Sequence, residues 1–129
     1  MEEFKLFDAE YKFMNIIWEE EPINSTHLVK LCLTTLGWKK STTYTVLKKL
    51  CERGYLKNQD ATVTSLVKKE EIQRYESNAV VEKAFGGSLP KFLTAFLNER
   101  RLSQEELKEL KQIIEKGMGE LSPEREEEL

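Results

Sequence analysis

The chain has 129 residues, with 20 Lys and Arg against 23 Asp and Glu for a formal charge of −3, and 40% apolar residues. That length and composition suit one compact domain with a modest core, or a small domain plus a dimerising extension. No apolar run approaches the roughly 18 residues that span a membrane, the acidic start MEEFKLFDAE lacks the basic and apolar regions of a secretory signal, and the acidic total argues against coating nucleic acid by charge alone. A cytoplasmic protein with no membrane insertion is expected.

Residues 8 to 20, DAEYKFMNIIWEE, read as a first helix with Asp8 as N-cap and Glu10 in the first turn. Tyr11, Met14, Ile17 and Trp18 recur at helical spacing and are expected in the core, and Pro22 stops the helix. Asn24 caps a second helix with Leu28, Leu31, Cys32 and Leu36 on one face and Gly37 as its stop. Its His27 has no partner within sequence reach and reads as exposed. Cys32 and Cys51 lack a CxxC spacing and fall on apolar helix faces, where cysteine acts as a small hydrophobe. Two cysteines and one histidine do not make a metal site, so no cofactor is expected.

Trp38 to Arg53, WKKSTTYTVLKKLCER, is the third helix with its lead-in, and Gly54 ends it. At about 100° per residue, Thr43, Val46, Leu47, Leu50 and Cys51 cluster on one side, and Ser41, Tyr44, Thr45, Lys48 and Lys49 lie on or beside the other. The segment carries Lys39, Lys40, Lys48, Lys49 and Arg53 against Glu52 alone, a local +4 that leaves −7 for the rest. A helix that buries one face and offers hydroxyls and amines on the other suits the base edges and phosphates of a DNA major groove. A solvated lysine face on an ordinary surface helix has the same composition.

YLKNQ and TVTSLV, separated by Asp60 and Ala61, then form a small hairpin, although Ala61 is a poor turn residue. The fold class is therefore mainly α with a small β-hairpin: a winged helix-turn-helix DNA-binding domain over residues 1–68 and a helical dimerisation domain over 69–117, with an acidic, disordered tail at 118–129. In the second half, Lys69 to Phe85 is a helix with Ile72, Tyr75, Ala79 and Val80 in its stripe, broken by Gly86 and Gly87. Ser88 caps LPKFLTAFLNER, and Ser103 to Glu106 is an S-x-x-E box opening a last helix. Phe85, Phe92, Leu93, Phe96, Leu97, Leu107, Leu110, Ile113 and Ile114 need more cover than one copy supplies, which points to a symmetric homodimer.

The run LFDAEYKFMNIIWEEEPINSTHLVKLC, the block W-x-x-S-T-T-Y-T-V-L-K-K-L-x-x-R-G-Y-L and the stretch FGGSLPKFLTAFLNERRLSQEELKELKQII resemble the penicillinase repressor family, the BlaI/MecI/CopY type, over residues 6 to 116. The resemblance implies a homodimeric winged-helix repressor that occupies a palindromic operator on double-stranded DNA and blocks transcription of resistance or stress genes. Onto this chain it carries Ser41, Thr42, Tyr44, Thr45 and Lys49 as positions that meet bases and phosphates. By their chemistry, Lys39, Lys40, Lys48 and Lys49 supply phosphate neutralisation and salt dependence.

The family's wing often carries a Gly-Arg pair, where this tip reads Asp60, Ala61, Thr62, Val63, so weak wing contact is expected. In the resistance branch a membrane sensor protease system cuts an Asn-Phe bond. The matching bond is Ala95–Phe96, with Phe kept and Asn replaced. The copper-responsive branch ends in a cysteine cluster that this chain lacks.

Neither a Gly-rich phosphate loop nor opposed carboxylates in an apolar setting are present, which argues against an enzyme. Two other readings share the fold: a winged helix used as a protein-interaction module, and a repressor induced by a small molecule held between helices.

Overall fold

A computed structural model describes residues 5–119, with side chains to residue 117. The chain divides into two compact units, one ending at Gly87 and the other beginning at Ser88.

In the first unit, helix α1 spans Asp8–Glu20. Asp8, expected as N-cap, is instead the first helical residue; the cap position is Phe7, and the Glu10 side chain accepts the Phe7 amide at 2.9 Å. Met14 and Ile17 are fully buried as expected, but so is Phe13, while Tyr11 and Trp18 are half-buried at the edge of the core. An edge position suits Trp18, because its indole N–H needs a partner and finds one in the Val67 carbonyl at 2.9 Å.

Helix α2 spans Ser25–Leu36. The Asn24 side chain accepts the Thr26 amide at 2.8 Å, and Gly37 closes the helix at φ 71°, a left-handed conformation that costs glycine nothing. The chain then turns through Trp38, whose ring stacks on Phe13 at 5.5 Å, into helix α3, Lys40–Glu52. Leu28 and Cys32 from α2 and Leu47 and Leu50 from α3 close the core over α1.

The hairpin forms where expected, as strands β2, Leu56–Gln59, and β3, Thr62–Ser65. A third strand β1, Ile23–Asn24, pairs antiparallel with β3, so the sheet order is β1-β3-β2. Ile23 faces Val63 and Val63 faces Asn58, which sets the buried Ile23, Leu56 and Val63 toward the helices. Asp60 and Ala61 form a two-residue turn with φ of 54° and 62°, both positive, as a tight hairpin requires. The Glu21 carboxylate holds the far end of β3, accepting the Ser65 amide at 2.6 Å and its hydroxyl at 2.9 Å.

Helix α4, Lys69–Phe85, buries Ile72 in this core, whereas Ala79 and Val80 further along are exposed. Gly86, at φ 58°, ends it.

The second unit holds helices α5, Leu89–Leu97, and α6, Gln104–Gly119. Both starts are capped as the sequence indicated. Ser88 Oγ accepts the Lys91 amide at 3.1 Å, and the Ser103 and Glu106 side chains accept each other's amides at 3.0 and 3.3 Å. Of the acidic tail expected at 118–129, positions 118 and 119 continue α6 and the rest lies outside the described residues.

Candidate nucleic-acid interface

Helix α3 is anchored by Thr43, Leu47 and Leu50, all buried, with Val46 and Cys51 half-buried beside them. Those positions recur every three or four residues and turn the intervening ones outward. Ser41, Thr42, Thr45, Lys48 and Lys49 are exposed, and Lys39 and Lys40 are exposed at the N-terminal end. No side chain caps that end and no acidic residue occupies its first turn. Its positive dipole end and its lysines therefore favour an anion together.

Tyr44 departs from the outward set. It is half-buried, and its hydroxyl lies 3.5 Å from Ser25 Oγ on α2, so the ring is shared between the outward face and the packing against α2. Arg53 departs more sharply. Counted from sequence among five cations, its guanidinium spans the Glu10 carboxylate at 3.2 Å to each oxygen, and Glu10 is only 6% exposed. The positive field of α3 thus comes from Lys40, Lys48 and Lys49 with Lys39 at its cap.

The structure adds a cation that the sequence reading passed over. Lys57 on β2 lines, with Asn58, a groove of about 500 Å³ between α3 and the hairpin, opposite Tyr44, Lys48 and Cys51. No spacing rule marked it: alternation sets Lys57 opposite the buried Leu56, on the hairpin face that it also shares with Gln59 and Thr64.

Burial pushes the Cys32 thiol above its ordinary value, partly offset by the nearby Thr43 hydroxyl; burial and then the Glu52 charge raise Cys51. Both are packing residues. Exposed His27 and the cysteines join no cluster of three or more metal-ligating side chains among the described residues. No helix among them is long and apolar enough to cross a membrane.

In the second unit, Phe92 and Phe96 stack at 5.8 Å, and with Leu93, Leu97, Leu110 and Ile113 they line a cleft of about 330 Å³. Phe96 is 46% exposed, Ile113 65% and Ile114 50%; Leu107 is exposed, and Phe92, Leu93, Leu97 and Leu110 are half-buried. Phe85, assigned from sequence to the same face, is a half-buried residue at the end of α4 in the first unit. The Ala95–Phe96 bond lies within α5, and the Arg100 guanidinium sits 4.3 Å over the Phe96 ring.

A family model described as penicillinase repressor matches residues 6–116. The methicillin resistance regulatory protein MecI of Staphylococcus aureus is 26% identical over 117 residues, covering 88% of this chain and 95% of that protein. The penicillinase repressor of Bacillus licheniformis is 28% identical over 115 residues, 86% and 90% of the two chains. An uncharacterized 16.5 kDa protein of Latilactobacillus sakei is 26% identical over 110 residues, 82% and 75%. With the match running through both units, the chain belongs to the penicillinase repressor family, a family of transcriptional repressors and not of enzymes.

Proposed function

We propose that the chain binds a palindromic operator as a homodimer and represses resistance or stress genes, reading the DNA with α3. The observation that carries this is the outward flank of Ser41, Thr42, Thr45, Lys48 and Lys49 on a helix whose other side is anchored in the core. Short hydroxyls suit phosphate oxygens, base edges and thymine methyls at close range, and the lysines neutralise phosphates. Tyr44 and Lys40 flank that surface, and Lys39 stands at its entry. A chain of net negative charge with one basic helix docks in a defined orientation rather than coating the duplex.

The exposed Phe96, Leu107, Ile113 and Ile114 support pairing of two second units, since so much apolar surface on two short helices is unusual for a lone copy. Two copies related by a dyad would present two α3 helices to half-sites about one duplex turn, roughly 34 Å, apart. Cutting at Ala95–Phe96 by a sensor protease system would act on that same unit.

Duplexes selected by the protein from sheared genomic fragments, then titrated in a gel shift against salt, test the reading. One enriched palindrome, bound with an affinity that falls steeply with salt and resists bulk DNA, is expected. Binding without salt dependence, or none to any duplex, would overturn it in favour of a protein-interaction module.

A further inference from the structure

Arg53 stands at the C-terminal end of α3, yet its side chain leaves the reading surface. Its Nη1 reaches both Glu10 oxygens at 3.2 Å, and its Nη2 donates to the Lys5 carbonyl at 2.7 Å. The guanidinium also lies 4.8 Å from the centre of the Tyr55 ring, and the Tyr55 hydroxyl donates to the same Lys5 carbonyl at 3.1 Å. Glu10 is engaged a third time, by the Phe7 amide. One guanidinium therefore joins the segment before α1, the first turn of α1, the end of α3 and Tyr55 just before β2.

We infer that Arg53 is a positioning residue for DNA recognition, setting the angle of α3 against α1 through Glu10, and is not a phosphate ligand. The inference rests on the DNA-binding reading above. The buried Thr43, Leu47 and Leu50 fix the rotation of α3 about its own axis. Its tilt depends on where its two ends are held, and at the C-terminal end this network is the polar side-chain attachment to α1, beside the packing of Leu50. Arginine is required because a planar fork can take a carboxylate with one arm and a carbonyl with the other, which a lysine point charge does not do. Phosphate contact would require surrendering Glu10, leaving a carboxylate that is only 6% exposed without its cation.

The test compares full-length wild type with Arg53→Gln, Arg53→Lys and Glu10→Gln on two labelled probes, a random-sequence duplex pool and the duplex that wild type enriches from it. A positioning role lowers the ratio of enriched to random affinity about tenfold, the weight of one base-edge interaction, in both the glutamine variants. The salt slope on the random pool stays at the wild-type value, and Arg53→Lys recovers part of the ratio. A slope that falls by about 0.9 in Arg53→Gln, the share of one phosphate contact, would overturn the inference. So would an unchanged ratio in variants with the wild-type circular dichroism spectrum. Where Arg53→Gln does not fold, Arg53→Lys and Glu10→Gln carry the same two readouts. Wild type that enriches no duplex would instead overturn the DNA-binding reading itself.

Discussion

The Ser25 amide donates to the Ala61 carbonyl at 2.8 Å, fastening the tip of the hairpin to the first residue of α2. With Asn24 opposite Thr62 in the sheet and the Tyr44 hydroxyl 3.5 Å from Ser25 Oγ, this one residue touches the hairpin, α2 and α3. The wing is consequently short and tied down. Its turn backbone serves the fold, which agrees with a tip that carries no Gly-Arg pair.

Ala61 holds that turn at φ 62°, where its Cβ crowds the backbone. Ala61→Gly relieves the crowding at the cost of a more mobile unfolded chain, for a net gain of about 0.5–1 kcal/mol. Chemical denaturation should show a higher midpoint with an unchanged slope, and the Ser25 bond survives because it uses the backbone. A lower midpoint would contradict the strain.

On α3, Lys49 and Thr45 should fail in different ways. Lys49→Ala is expected to weaken every duplex and flatten the salt dependence by about 0.9 in slope. Thr45→Ala is expected to leave the slope alone and shift the preferred sequence by about 1–3 kcal/mol at one base position. Equal affinity of both variants with wild type, across salt and sequence, would remove this face from the interface.

For the second unit, Ile113→Glu places a charge on a residue that is 65% exposed, so one copy tolerates it while an apolar interface does not. Sedimentation should shift from a dimer to the 15.1 kDa monomer at micromolar concentration, and affinity for a palindrome should fall more than affinity for a half-site. Wild type that sediments only as a monomer would refute the pairing.

The cysteines supply a pH prediction. Their folded thiols titrate above the ordinary value of 9.0, so the native state keeps protons that the unfolded chain has already lost. The stability they contribute is complete below that pH and is lost as pH rises past it through the folded values. Melting temperature should therefore decline on the alkaline side, and replacing Cys32 with Ala should reduce that slope despite lowering overall stability.

Local chemistry made much of this fold legible in advance. Asn24, Gly37, Ser88 and the Ser103–Glu106 box act on neighbours two to five residues away, and each caps a helix as its residue type dictates. The buried side of α3 followed from periodicity for the same reason. What escaped depended on distant partners. Glu10 turns inward because Arg53, 43 residues on, is there to receive it, and β1 exists because β3 offers it an edge. Tyr11 and Trp18 gave their place in the core to Phe13, since both faces of α1 are contacted and period alone does not rank them. Of the proposed DNA-reading surface, the lysines and short hydroxyls lie outward, whereas Tyr44 and Arg53 are drawn to neighbours no spacing rule identifies.

The peptide joining Ala95 to Phe96 is wound into α5, with the ring of Phe96 between Phe92 and the Arg100 guanidinium. Hydrolytic enzymes thread their substrates as stretched backbone, and a coiled turn does not fit such a channel. Were a protease to cut there, scission would wait on fraying of that turn, so whatever steadies the ring would also delay the cut.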